Sequence, residues 1–170
     1  MSALENSAML RALHACAPAP DRASGMLLYG QFVGSWRGTR IVHETLTQRR
    51  ELQAEVHFDW VLQGRAVQDV WIARAPEDGR PVMYGTTLRV FDPGTDCWHI
   101  TWIDPLTQHT MRMVGRKVGN DIVQECPGED GRLRQWIFTE IAPDAFHWIS
   151  REQTGDDGWT VRVEYFLRRV

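Results

Sequence analysis

The chain has 170 residues, of which 43% are hydrophobic and 24% charged, and its formal net charge is −3. That length suits one domain, and the composition excludes a disordered chain or a coiled coil. Basic residues are scattered and adjacent only in pairs, such as Arg49-Arg50 and Arg168-Arg169, which leaves no electrostatic footprint for nucleic acid.

Leu4, Ala8, Leu10, Leu13 and Ala15 fall at near-helical spacing within Ala3 to Ala15, which predicts a short amphipathic helix ended by Ala17-Pro18-Ala19-Pro20. Asp21 to Gly25 reads as a linker, giving an N-terminal helical segment over 1–25 and a main domain over 26–170. Met26 to Val33 is apolar and too short for a long helix; it reads as one turn leading into Gly34.

From Ser35 the pattern changes in kind. Turn signals recur near Gln48, at Gly64, Pro76-Glu77-Asp78-Gly79, Asp92-Pro93-Gly94, Asp104-Pro105, Gly119-Asn120-Asp121, Pro127-Gly128, Pro143-Asp144 and Gly155-Asp156-Asp157-Gly158. They cut the chain into about ten segments at roughly 8–12-residue spacing, the pattern of a sandwich or barrel. No interval has room for the crossover helix of a parallel sheet.

Two segments alternate clearly. Leu52, Ala54, Val56, Phe58, Trp60 and Leu62 face one way, while Gln53, Glu55, His57 and Asp59 face the other. Trp159, Val161, Val163, Tyr165 and Leu167 likewise oppose Thr160, Arg162, Glu164 and Arg168, with Phe166 as the exception. Val82 to Phe91 and Cys97 to Ile103 mix both faces. Arg132 to Ile141 is ambiguous: either Leu133, Gln135, Ile137, Thr139 and Ile141 point inward, or Trp136 and Phe138 do. One-sided antiparallel strands must hide their apolar faces and their edges, and closure does both. The expectation is an all-β, antiparallel up-and-down β-barrel of about ten strands, with a sandwich as the alternative; a barrel of that size leaves interior room for a ligand.

Gly34-Ser35-Trp36, after a short apolar turn and at the head of the first strand, resembles the G-x-W signature of the lipocalins and the wider calycin superfamily. The resemblance implies that Trp36 plugs one end of the barrel beneath a basic residue of the last strand, for which Arg162 and Arg168 are candidates. Leu62-Gln63-Gly64-Arg65 is similar to the Leu-x-Gly-Arg hairpin of bacterial lipocalin-like proteins of unknown function. Gly34-Ser35-Trp36-Arg37-Gly38 also resembles the opening of nitrobindin, a haem barrel whose haem is held by a histidine near the C-terminus. No histidine follows His147 here, so that ligand has no counterpart and no cofactor is expected.

The three cysteines, Cys16, Cys97 and Cys126, have no C-x-x-C spacing and read as reduced thiols of a cytoplasmic protein. No apolar run approaches the roughly 18 residues of a membrane helix, and the basic, apolar opening of a signal peptide is missing. The histidines form no H-x-x-x-H or H-E-x-x-H pair, so no metal site is expected. Glu44, Asp69 and Asp104 are candidate acid–base groups; Glu44 and Arg40 share the parity of Trp36 and are expected to face the cavity as a pair. No nucleophile elbow, P-loop or dinucleotide fingerprint occurs, and Gly115 to Asn120 reads as a hairpin turn.

Eight tryptophans are heavy usage for this length and read as core filling or as the walls of a cavity. The leading expectation is a module that binds a small apolar or aromatic molecule, lined by Trp36, Arg40, Trp60, Tyr84, Trp102, Gln135, Trp148 and Tyr165. One rival is an enzyme with Glu44 or Asp104 as base near Arg40 or Arg65. Another is a solid barrel whose outer face meets a partner chain. Expected partners are a small apolar ligand and, compatibly, a second copy in a homodimer, with neither nucleic acid nor membrane.

Overall fold

The computed structural model describes residues 7–128, 130–155 and 158–170. Its strands are β1 (Gly34–His43), β2 (Arg49–Val61), β3 (Ala66–Arg74), β4 (Pro81–Asp92), β5 (Cys97–Asp104), β6 (His109–Val118), β7 (Asp121–Pro127), β8 (Leu133–Thr139), β9 (Ala145–Thr154) and β10 (Gly158–Arg169). Each pairs antiparallel with its neighbour in sequence, and β1 pairs β10, so the sheet closes into a barrel with no free edge. The turn signals fall at the strand junctions; Asp156 and Asp157 of the last one lie outside the described residues.

Odd turns leave one end of the barrel and even turns the other. The end at the start of β1 is closed by the N-terminal segment. Helix α1 (Ala8–Leu13) is capped by the Ser7 hydroxyl, which accepts from the Leu10 amide at 3.3 Å. The chain then runs along the end of β2: Leu62 donates to the Leu13 carbonyl at 2.8 Å and Ala15 to that of Trp60 at 2.9 Å. In the β2–β3 turn Leu62, Gln63 and Gly64 take φ of 53°, 62° and 73°. A side chain at Gly64 would also meet the Ala17 carbonyl, 2.1 Å from where its Cβ would stand.

The stretch expected to be a linker and a single turn is instead a 3-10 turn (Pro20–Arg22) running into helix α2 (Ala23–Gly30). Two glycines make this a poor helix by propensity. Packing overrides that, because the ring of Trp60 lies where a Gly30 Cβ would be, 2.1 Å away. Met26, Tyr29 and Phe32 are fully buried beneath the barrel end. There they meet Trp36, Phe58, Trp98, Phe138 and Phe146 in a cluster of mostly edge-to-face rings, with Tyr29–Trp98, Phe32–Phe138 and Trp36–Phe146 centroids each 4.8 Å apart.

Trp36 is the plug the G-x-W resemblance implies, and its indole N–H donates to the Phe32 carbonyl at 2.7 Å. The basic partner is neither Arg162 nor Arg168. It is Arg169, register partner of Trp36, whose guanidinium sits 4.2 Å from the ring centroid. The same group donates to the carbonyls of Val33, Gln31 and Pro143 at 2.7, 2.8 and 2.9 Å. Arg168 faces outward, and Arg162 joins Glu152 at 3.1 Å.

A bulge in β10 corrects another expectation. Val161 pairs Arg151 while Val163 pairs Ser150, leaving Arg162 as the extra residue. Parity flips there: Val163, Tyr165 and Leu167 face in, whereas Trp159 lies outside with the Arg151 guanidinium 4.4 Å over its ring.

Candidate functional site

Above the ring cluster, at the end where β1 finishes, the lumen is hollow. A cavity of about 330 Å³ opens between the turns of that end. Trp71, Trp102, Trp136, Trp148 and Tyr165 wall it. Their rings touch in sequence: Trp102–Trp136 at 5.6 Å, Trp136–Trp148 at 5.3 Å, Trp148–Trp71 at 5.4 Å and Trp71–Tyr165 at 4.9 Å. Burial pushes the Tyr165 phenol well above its ordinary range, with Asp104 adding to the rise and Arg40 opposing it.

At the cavity floor Arg89 and Asp69, 1% and 0% exposed at the side chain, form an ion pair. Asp69 also accepts from the Thr87 amide at 2.8 Å, and Arg89 donates from Nε to Gln124 Oε1 at 3.2 Å. Beneath them Arg89 lies 4.9 Å over the Tyr29 ring. The Tyr29 phenol is likewise pushed far up by burial, helped by the Asp69 charge and opposed by Arg89. This pair divides the filled lower half from the open upper one.

Of the residues expected to line the cavity, Arg40, Trp102, Trp148 and Tyr165 do. Trp36 and Trp60 are buried in the closed end instead, one under Arg169 and the other against α2. Tyr84 is 44% exposed on the outside, because β4 turns Met83, Thr87, Arg89 and Phe91 inward. Gln135 is also outside: β8 gives its larger rings, Trp136 and Phe138, to the lumen, and Gln135 bonds Glu125 and accepts from Arg151 at 2.7 Å.

Glu44 does not face Arg40. It lies in the β1–β2 turn at the rim, 3.4 Å from Arg50. Arg65 sits at the opposite end, bonded to Asp21 at 2.9 Å, a contact that holds the Asp21 carboxyl below its usual range. Asp104 does line the cavity, but its oxygens accept from the Leu106 amide and the Thr107 hydroxyl, both at 2.9 Å, which makes it a turn cap. His109 is a cavity histidine at the rim, and the last strand contributes Val163 and Tyr165.

Three residues form a relay on the outer face: Ser35 Oγ lies 2.9 Å from His57 Nδ1, and His57 Nε2 lies 2.8 Å from Glu55 Oε1. It has the composition of a nucleophile–base–acid chain. It spans two paired strands, Ser35 on β1 lying directly opposite His57 on β2. Among the described residues, Asp92, Cys97 and His99 bring ligand atoms within 4.8 Å of one another. Asp92 there accepts from the Thr95 hydroxyl at 2.8 Å and the Gly94 amide at 2.9 Å, which together hold its carboxyl below the usual range. It is organised as the β4–β5 turn.

No family model and no curated protein matches this sequence. Among solved structures, Rv2717c from M. tuberculosis is 19% identical, with 90% of this chain and 99% of that one covered and a TM-score of 0.64. The S-type phycobiliprotein lyase CPES from Guillardia theta is 14% identical, with 89% and 97% covered and a TM-score of 0.59. The chain shares its closed antiparallel barrel fold with these structures. At these identities the likeness concerns architecture alone. Among the described residues no helix is long and apolar enough to cross a membrane, and Cys16, Cys97 and Cys126 are all free.

Proposed function

We propose that this barrel binds a small, flat, largely apolar molecule in its upper cavity. The observation that carries the reading is the ring-walled hollow itself, whose volume of about 330 Å³ falls within the roughly 300–1,000 Å³ of small-molecule sites. Five aromatic side chains wall it with polar and charged side chains set among them, the combination that holds and orients a small molecule. The fold alone does not choose between binder and enzyme, since the similar Guillardia theta barrel is a phycobiliprotein lyase. Binding is favoured because the carboxylates of the cavity wall are engaged, Asp104 by its turn and Glu152 by Arg134 and Arg162. With three free cysteines, a reducing cytoplasmic setting goes with this reading.

Titration with the neutral fluorophore N-phenyl-1-naphthylamine tests it. Saturable enhancement is expected in the parent, with loss in Ser150→Phe, which would fill the lumen beside Trp136 and Trp148. No saturable signal, or an unchanged one in the filled variant, removes the cavity as the site.

A further inference from the structure

The polar atoms that face the cavity are unbalanced in kind. Among its charged groups, Arg89 is matched by Asp69, Arg134 by Glu152 at 3.4 Å and Arg50 by Glu44 at 3.4 Å. Asp104 has its oxygens satisfied by its turn but keeps its charge, whereas Glu152 is shared between Arg134 and Arg162. Arg40 has no carboxylate partner among the described residues, and its Nε is buried without a hydrogen bond. Two more buried atoms on the wall share that condition, the Trp148 indole nitrogen and the Thr87 hydroxyl, on residues 6% and 1% exposed.

An indole N–H and a guanidinium only donate, and a threonine hydroxyl donates or accepts. Buried donors left unmet are costly, so a ligand that satisfies them must bring acceptors. To match an arginine without a counter-ion it must also bring negative charge. The register places the key groups in one row: Arg40 pairs Tyr165, and Tyr165 pairs Trp148, across β1, β10 and β9. Arg40 lies 5.7 Å from the Tyr165 ring centroid, and that ring meets Trp148 at 5.3 Å and 84°.

We propose that the cavity selects planar aromatic anions, with a carboxylate or similar oxyanion taken by Arg40 and the Trp148 N–H while the ring system lies along Trp71, Trp102 and Trp136. This rests on the cavity-binding reading above and sharpens it from apolar molecules in general to aromatic acids. The groups in the lining that set the charge of the site are Arg40, Arg50, Arg89, Asp104, His109, Arg134 and Glu152; Arg40 alone among its arginines is without an anion.

Calorimetric titration of the full chain with 2-naphthoate and with its neutral isostere 2-naphthamide tests the proposal. The parent should bind naphthoate at least about tenfold more tightly, the size of effect a charge-assisted contact gives. Arg40→Met should bring the two affinities together by weakening naphthoate and leaving naphthamide nearly unchanged. Trp148→Phe and Thr87→Val should each weaken naphthoate a few-fold. If Arg40→Met fails to fold, Arg40→Gln takes its place, and the parent comparison needs no variant. Equal affinities in the parent overturn the anion preference and leave cavity binding standing, as does binding of N-phenyl-1-naphthylamine without naphthoate. A preference that survives both Arg40 variants overturns the assignment to Arg40. If neither compound nor the neutral fluorophore binds, the cavity reading falls too.

Discussion

Phe138 and Trp136 stand two residues apart on the inner face of β8, yet they live in different surroundings. Phe138 is fully buried, with the rings of Phe32, Phe146 and Tyr29 at 4.8, 5.5 and 5.8 Å. Trp136 is only partly buried and meets Trp102 and Trp148 beside open space. Both ends of the barrel are lined by aromatics, so lining composition does not make one solid and the other hollow. The difference is a third layer. At the closed end the chain before β1 delivers Met26, Tyr29 and Phe32 into the lumen, and no described segment does so at the other.

The junction between the halves is the first place to break that comparison. Asp69→Ala would leave the Arg89 guanidinium charged and unpartnered among rings, which should cost about 3–5 kcal/mol in denaturant unfolding. Asp69→Leu combined with Arg89→Met should recover most of the loss, since a matched apolar pair carries no desolvation penalty. A cost below about 1 kcal/mol for the single variant would mean the pair is not what separates floor from core. Next in size is the β8 contrast itself. Phe138→Ala should cost about 3–5 kcal/mol and Trp136→Ala roughly half that, because Trp136 has fewer packed neighbours to lose. Equal losses would show the upper half packed as tightly as the lower.

How much of this was legible in the sequence differs strand by strand, for one physical reason. β2 reads cleanly because its inner positions from Leu52 to Trp60 are all apolar and its outer ones polar until Val61. On β4 the signal is lost: between Met83 and Phe91 the inner face holds Gly85, Thr87 and Arg89, Leu88 and Val90 belong to the other parity, and Val82, at a register shift against β3, lines the cavity beside Met83. A buried arginine matched by a distant aspartate defeats hydrophobic periodicity, since the pair that makes it tolerable spans two strands. Asp69 was visible as an ionisable candidate; its partner was not. β8 is apolar on both faces, so Gln135 was placed inside when Trp136 and Phe138 belonged there. In β10 the bulge at Arg162 carries no turn residue to announce it, and the alternation runs through it unbroken. The G-x-W likeness points to Trp36 as the plug, but both basic partners it offers, Arg162 and Arg168, lie on the face the alternation assigns to solvent, and the residue that covers the ring is Arg169.

The finest test adds one methyl group to each half. A Cβ on Gly30 would stand 2.1 Å from the Trp60 ring, and one on Gly85 would stand 2.3 Å from the Trp102 ring. Neither glycine has a φ in the left-handed region, so packing decides both outcomes. In the closed end Trp60 is wedged between α2 and the barrel, and Gly30→Ala should fall near the upper end of the 1–3 kcal/mol typical of overpacking. In the upper half the Trp102 ring borders the cavity, and the Ile103 carbonyl, 2.9 Å from the same added Cβ, blocks the opposite direction. The ring should therefore swing into the hollow, and Gly85→Ala should cost about 1 kcal/mol while weakening ligand binding and altering the near-ultraviolet dichroism of the tryptophans. Thermal unfolding of the two variants, paired with that spectrum, reads the result. If Gly85→Ala proves as costly as Gly30→Ala, Trp102 has nowhere to go, and the lumen at that level is filled.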